Sequence, residues 1–377
     1  MGNKDQENFF AEYINKFNEE IVNMGHVNLV IAGKTGVGKS TLVNASFRED
    51  IAETGVGEPV TEEIRMYSKE KYPLRIYDTM GLELSLDRQE YAVGQIKKLC
   101  DAKKETGNKE EMIHAMWYCV HGNCARFEPY EEAFINEVSK EMPVIIVLTQ
   151  CIIKSIAEEL KSEIEKRNTM ASNVFIVRAK PYFDDDGKEL QAFGVVELVE
   201  HTYAILPQSA QKAWANVQKA SLKIKQERAR AVVIATATAS FGEGYMPLPF
   251  SDCVALVPTQ IGMIAAITAI YGLQLSQSYL TGIVSSLVGT TATTFAGRIL
   301  VANILKLIPV AGSAVGGTIS GSMAALLTTA LGSAYIVVMN KVFSGEITQK
   351  ELESGAMREE LSNLLKEKLK LESKKNK

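Results

Sequence analysis

Eight consecutive residues, Gly33-Lys34-Thr35-Gly36-Val37-Gly38-Lys39-Ser40, have the types and spacing to hold a chain of phosphates. They fit G-x-x-x-x-G-K-[ST], and they lie between the apolar run Val27–Ala32 and a helical stretch that starts near Ser40. Glycines let the backbone curl until successive N–H groups and the helix N-terminus face the anion. The Lys39 ammonium then reaches the β- and γ-phosphates of a nucleoside triphosphate, and the Ser40 hydroxyl ligates Mg²⁺. Nucleotide contacts are expected at Gly33, Lys34, Thr35, Gly36, Val37, Gly38, Lys39, Ser40 and Thr41.

A second element comes next, in the order that a nucleotide switch needs. The apolar run Leu74–Tyr77 ends in Asp78-Thr79-Met80-Gly81, which places Asp78 to hold the metal through water and the Gly81 N–H to meet the γ-phosphate. Thr61 ends the loop 50–60 and is the expected further Mg²⁺ ligand, with Thr54 as the competing choice. Lys39, Thr61 and Gly81 are therefore the residues expected to act on the transferring phosphoryl group, with Ser40, Thr61 and Asp78 around the metal. Leu82 stands where a water-orienting Gln is common. An apolar side chain cannot orient water, so hydrolysis is expected to be slow unless a partner, a second copy or the neighbouring Glu83 supplies that group.

With these elements in place, residues 27–207 resemble the translation-factor-related GTPases, in particular the Era-like group. The resemblance implies GTP and GDP as ligands, with Mg²⁺. In that family a T-K-x-D element reads guanine; here the corresponding residues are Thr149-Gln150-Cys151-Ile152, so both specifying residues are replaced. The family's later S-A-K element is partly present as Arg178-Ala179-Lys180, whose Ala179 N–H would meet the guanine oxygen. Thr149, Gln150, Ala179 and Lys180 are thus implied base-side contacts, and discrimination against ATP is expected to be reduced.

Other clusters carry less. Cys119, His121 and Cys124 fall within six residues, but a structural zinc needs four ligands, and Cys119 fits a buried strand better. Arg126 could face the nucleotide or a second subunit, or simply pair with an acid at the surface. The five cysteines are odd in number and lack C-x-x-C spacing, which argues for a reducing compartment. A formal net charge of -4 leaves no broad basic field, so no nucleic-acid partner is expected. The N-terminal residues carry no apolar run of the secretory type, and a cytoplasmic location is expected.

Positioning these residues requires alternating strands and helices. Apolar runs at 27–32, 63–67, 74–77, 113–120, 144–148 and 174–177 alternate with helical stretches at 40–45, 88–102, 131–141, 154–167 and 194–205, the signature of a parallel, doubly wound sheet. The predicted fold is an α/β, doubly wound P-loop GTPase domain followed by an apolar, all-helical C-terminal domain. Its parts are an amphipathic helix over 1–24 that docks on the domain after it, the α/β domain over 25–207, a connecting helix over 208–230, the apolar helical domain over 231–343, and a charged helix with a Lys-rich tail over 344–377.

Between Ala231 and Phe343 only Glu243, Asp252, Arg298, Lys306 and Lys341 are charged. The best candidate for a membrane span is 319–339, diluted by Ser, Thr and Gly. Gly312-x-x-x-Gly316 and Gly317-x-x-x-Gly321 suit close helix packing in lipid or water. Pro247-Leu248-Pro249, Thr259-Gln260, Ile270-Tyr271-Gly272-Leu273 and the stretch 307–312 resemble the GTPase-associated helical domain of unknown function 697, some members of which are described as membrane proteins. The expectation is a nucleotide switch whose helical domain meets a membrane, with dimerisation through the α/β domain. A soluble dimerising scaffold and a ribosome- or RNA-assembly GTPase are the alternatives.

Overall fold

The structure is a computed structural model that describes residues 3–49, 56–61, 64–79, 89–108, 111–124, 126–167, 169–243, 256–273, 321–348, 351 and 354–375. The chain forms two compact units. One is Met24–Ser221, and the other joins Met1–Asn23 to Leu222–Lys377.

The first unit is a seven-stranded sheet with helices on both faces. Its strands are β1 (Val27–Ala32), β2 (Val56–Pro59), β3 (Arg65–Lys69), β4 (Tyr72–Asp78), β5 (Ala115–His121), β6 (Val144–Thr149) and β7 (Asn173–Ile176), in the order β2-β3-β4-β1-β5-β6-β7. Strands β4, β1, β5, β6 and β7 are parallel; β2 and β3 run antiparallel at the edge. The sequence predicts a parallel, doubly wound sheet, and the antiparallel edge has a local cause. The chain reverses within two residues between Lys69 and Tyr72, with Lys71 at φ 58°, so β3 and β4 form a hairpin rather than a crossover. Strand β2 also occupies part of the segment expected to be loop.

Strands β1 and β6 are buried at every position, as continuous Val/Ile/Leu runs in a sheet covered on both faces must be. Helices α2 (Lys39–Ser46), α6 (Val195–Ile205) and α7 (Gln208–Val217) cover one face, where Phe47, Trp117 and Trp214 interlock with ring centroids 5.4–6.0 Å apart. Each such side chain contributes about 1.5–3 kcal/mol by leaving water. Helices α3 (Gln89–Glu105), α4 (Pro129–Val138) and α5 (Lys154–Lys166) cover the other face through Ile96, Phe134, Ile135 and Leu160. A short hairpin, β8 (Tyr182–Phe183) with β9 (Glu189–Leu190), is not among the predicted elements; the Asp184 carboxylate closes its turn by accepting from the Asp186 and Lys188 N–H groups.

The second unit is helical: α1 (Asn3–Val22), α8 (Leu222–Glu243), α9 (Leu256–Tyr271), α10 (Gly321–Phe343) and α11 (Gly355–Lys375). Helix α1 packs on α9 with Tyr13 buried, so it belongs to the helical unit rather than to the α/β domain that comes after it in sequence. The single connecting helix expected over 208–230 is two helices. Gln218 is extended (ψ 148°), pairs with Phe47, and accepts from the Ala220 and Ser221 N–H groups through its side chain, which ends α7 before α8 begins. Helix α8 then runs unbroken through the boundary expected at Ala231. Helix α10 crosses α8 closely because Gly332 faces Val233: a Cβ there would stand 2.4 Å from Val233 Cγ2.

Several buried polar groups of the helical unit are paired within it. Thr268 and Tyr335 share a hydrogen bond of 2.7 Å, Tyr271 donates to Asn340, and the fully buried Lys225 ammonium donates to the Ile270 and Tyr271 carbonyls that end α9. Helix α11 buries Leu365 and Leu369. The stretches around Pro247, Gly297 and 307–320 lie outside the described residues, so the small-residue pattern from Gly312 to Gly321 is not described beyond Gly321, where α10 starts. Residues 324–343 form a helix long and apolar enough to cross a membrane (mean hydropathy 1.4), with 61% of its apolar window buried inside the protein.

Candidate functional site: a phosphate-binding loop at the switch point of the sheet

The loop leaves the C-terminal end of β1, where the strand order turns to β4 on one side and β5 on the other, the position at which open α/β sheets bind ligands. Three glycines shape it, with φ 135° at Gly33, 78° at Gly36 and 99° at Gly38. Gly33 is required twice over, by its φ and because a Cβ would stand 2.3 Å from the Cys119 carbonyl oxygen on β5. The Thr35, Gly36 and Gly38 N–H groups make no hydrogen bond to a described residue, and α2 has no side-chain cap at Gly38. Unpartnered donors above a helix N-terminus are what an anion-binding loop requires.

Lys39 folds back over this nest, donating to the Gly33 carbonyl at 2.9 Å, with its ammonium 4.0 Å from Asp78 Oδ1. That separation is too long for a hydrogen bond, and Oδ1 is buried with no other hydrogen-bond partner. Burial pushes the Asp78 carboxyl above its usual range, with Lys39 opposing the shift. Ser40 lies exposed on the first turn of α2, Thr41 half-buried beside it. Thr61 sits in the turn before β3, four residues ahead of Arg65, the β3 residue that pairs with Asp78; its hydroxyl accepts from the Ile64 N–H. A buried carboxylate oxygen without a hydrogen-bond donor, together with an exposed hydroxyl on the residue after Lys39, suits a hard cation with oxygen ligands, so the residues present fit Mg²⁺. Gly81, Leu82, Glu83 and Thr54 lie outside the described residues.

The side chains on the expected base side are engaged within the protein. Thr149 is buried, and its hydroxyl bridges the Val37 and Val120 carbonyls, tying the loop to β5 and β6 rather than facing outward. Gln150, at φ 52°, sends its side-chain amide to the Gly36 carbonyl at 2.6 Å. Ala179 is half-buried and Lys180 exposed. Two residues without an expected role here, Asn123 and Arg178, hold the turn Cys151–Ile153. Asn123 Oδ1 accepts from the Ile152 N–H at 2.7 Å, and Arg178 donates to the Cys151 and Ile152 carbonyls, both at 3.0 Å. The signal for Asn123 was its place one residue past the Gly that comes after a buried strand. Gly122 leaves no room for a side chain, since a Cβ would meet Cys151 Sγ at 2.1 Å.

Beside the loop lies a cavity of about 380 Å³ lined by Lys34, Thr35, Cys124, Arg126, Glu128 and Glu131 among others. Lys34 stands 5.6 Å from the Tyr130 ring centre, and its pKa is raised chiefly by its hydrogen bond to Tyr130. Arg126 pairs with Glu128 at 2.9 Å and remains mostly exposed. Cys119 is buried on β5, its thiol pushed up to about 12 by burial, and His121 accepts from the Asn123 N–H.

The family model of the 50S ribosome-binding GTPase matches residues 28–150, from the second residue of β1 through Gln150. A second family model, DUF697, a domain of unknown function, matches residues 208–367. The chain carries a GTPase domain followed by DUF697. No curated protein matches it. The DUF697 match starts inside the first compact unit: α7 and the turn to Ser221 fold with the GTPase domain, and only the part from Leu222 onward forms the helical unit. The Cys151–Ile153 turn and Ala179 lie beyond the residues matched by the GTPase model.

Proposed function

We propose that the protein is a Mg²⁺-dependent GTP switch whose GTPase domain drives the DUF697 helical unit. The observation that carries this reading is the convergence of the open loop N–H groups, Lys39 and the unpartnered Asp78 oxygen at the mouth of β1. The loop amides and the Lys39 ammonium bind and orient the β- and γ-phosphates. Ser40, Asp78 and Thr61 would hold Mg²⁺, which supplies charge neutralisation on the phosphate oxygens. The same Thr61 oxygen accepts from the Ile64 N–H, so its engagement with the ion would couple the turn before β3 to the nucleotide.

The chain supplies no water-orienting side chain at Leu82, so we assign slow turnover to the isolated domain and acceleration by a second copy. Arg126, exposed at the rim of the cavity beside Lys34 and Thr35, is the residue with the reach and charge to act in a neighbour. The effector side is assigned to a membrane surface, on the long uncharged stretches of the helical unit and the apolar helix 324–343. The family description favours a second reading, attachment to the large ribosomal subunit.

Titrating fluorescent GTP against wild-type and Lys39→Ala protein tests the switch itself; equal affinities would refute it. Flotation with anionic vesicles and co-sedimentation with large ribosomal subunits, each with GTP and GDP, separates the two partner readings. Nucleotide-dependent recovery with vesicles alone supports the membrane reading, and recovery with subunits alone replaces it.

A further inference from the structure

Helix α9 carries no charge, and from Gln260 to Tyr271 only Gly262 is not buried. A helix that is apolar all round must be covered all round, and α9 packs against α8, α10 and α1. Two of these covers are firm. Helices α8 and α10 close on each other at Val233 and Gly332, and both are hydrogen-bonded to α9, α8 through Lys225 and α10 through Tyr335 and Asn340.

The third cover is shallow. Among the described side chains of α1, residues 11–22, only Tyr13 is buried; Ile14, Phe17 and Ile21 are half-buried, and Val22 is exposed. The Tyr13 hydroxyl is enclosed without a hydrogen-bond partner. Thr268 of α9 lies near it, outside hydrogen-bonding geometry, because its own hydroxyl is engaged by the Ile264 carbonyl and the Tyr335 hydroxyl, each at 2.7 Å. A buried hydroxyl with no partner has lost its water without replacement, so lifting α1 regains part of what seating it forfeits.

The path of the chain ties this cover to the nucleotide. Only residues 23–26 separate α1 from β1, the strand that ends in the phosphate loop, and Met24 among them is buried. Helix α8 is reached instead from residues 216–219, which Arg48 and the Ser46 carbonyl hold at the end of α2. Helix α1 is therefore rooted at β1, and α8 at the far end of α2. Any movement of α2 on β1 shifts one root against the other.

We propose that α1 is a detachable cover on α9, lifted when GTP replaces GDP, and that the uncharged α9 face beneath it is the surface that meets a lipid bilayer. This rests on the membrane reading above and adds to it the contact surface and its control.

Hydrogen exchange on the full chain, with GDP and with a non-hydrolysable GTP analogue, reads the cover directly. A lifted α1 is an isolated helix, which frays in water, so the amides of residues 11–22 should exchange at least tenfold faster with the analogue than with GDP, while α8 and α10 keep their protection. Equal rates in the two states would overturn the proposal. Tyr13→Phe keeps the ring and deletes the unpartnered hydroxyl, so it should slow this exchange at least threefold; exchange no slower than in wild type counts against a loosened seat. Tyr13→Ala should free α1 in both states and make flotation with phosphatidylcholine–phosphatidylglycerol vesicles independent of nucleotide. Flotation that still follows the nucleotide in that variant, with α1 exchanging freely, would put the lipid contact elsewhere and overturn the proposal. On vesicles, residues 260–271 should be protected and residues 11–22 should not; the reverse pattern would make α1 itself the anchor, and the proposal would fall. Failure of the parent reading looks different: α1 exchange that follows the nucleotide, with no form of the protein recovered on vesicles, removes the membrane and leaves the cover standing.

Discussion

Arg48 grips Asn216 twice, Nε to the main-chain oxygen at 2.7 Å and Nη2 to Oδ1 at 2.8 Å. Arg48 is two residues past the end of α2, the helix whose first residues are Lys39 and Ser40. Its N–H also meets the Val217 carbonyl and the Tyr72 hydroxyl, and the Lys219 N–H donates to the Ser46 carbonyl. The phosphate-reading helix is thus fastened at its far end to the segment from which the chain passes, at Leu222, into the helical unit.

Replacing Arg48 by Ala removes both of its hydrogen bonds to Asn216 from a partly buried site. The loss should be about 2–3 kcal/mol, lowering the Tm of the GTPase domain by about 5–10 °C. Thermal melting of wild-type and Arg48→Ala protein measures it. A shift under about 2 °C would mean that water replaces the guanidinium, and the clasp would lose its mechanical meaning.

Gly33 and Gly36 separate crowding from backbone strain. Both have positive φ, but a Cβ at Gly33 collides with main chain on β5, whereas one at Gly36 meets nothing within 4 Å. Gly33→Ala should abolish GTP binding in the titration, since neither β1 nor β5 can yield. Gly36→Ala should weaken binding by tenfold or less, reflecting about 1 kcal/mol of left-handed strain.

His114 gives the GTPase domain an acid-sensitive lock at the end of the sheet away from the nucleotide. Its Nδ1 accepts from the Asn28 N–H while the His114 main-chain N–H donates to the Asn28 carbonyl, and burial pulls the imidazole down to about 4 from an ordinary 6.5. Between those values the unfolded chain takes up a proton that the folded chain refuses. Stability therefore falls as pH falls from 6.5 to 4, by about 3 kcal/mol in all. Urea melts at pH 7 and pH 4.5 should show a larger drop for wild type than for His114→Gln, which cannot titrate; equal drops would assign the acid sensitivity to other groups.

The phosphate loop was legible because its chemistry is local: the glycines, Lys39 and Ser40 act within one turn, and spacing alone specifies them. Asp78 was legible for the same reason, as the polar end of an apolar strand. Asn123 and Arg178 were not, because their partners lie 29 and 26 to 27 residues away in sequence and are backbone groups without a residue signature. The family resemblance puts Thr149 on the nucleotide, yet its hydroxyl faces inward to Val37 and Val120, a choice of face that strand periodicity leaves open. The break between α7 and α8 escaped for a related reason. Residues Gln218–Ser221 have no Pro or Gly, and the helix ends only because Phe47 and the Gln218 side chain offer competing hydrogen bonds.

The most demanding test concerns the source of catalytic charge. If Arg126 of one copy completes the site of another, two defective proteins should repair each other. Arg126→Ala protein keeps Lys39 and the whole phosphate loop but offers its neighbour no guanidinium. Lys39→Ala protein cannot hold nucleotide, yet still presents Arg126 from a mostly exposed position, released by breaking only the surface pair with Glu128, an interaction worth about 0–1 kcal/mol. Each variant alone should hydrolyse GTP at or below the rate of dilute wild type. Mixed at equal concentration they should recover activity, rising with total protein and reaching a substantial part of the wild-type rate, since a guanidinium supplied in trans is worth on the order of 10³–10⁵ in rate where hydrolysis depends on it. Wild-type specific activity should climb with concentration over the same range. A mixture no faster than the sum of its parts, beside a wild type whose specific activity is flat with dilution, would place the missing group within the chain that holds the nucleotide.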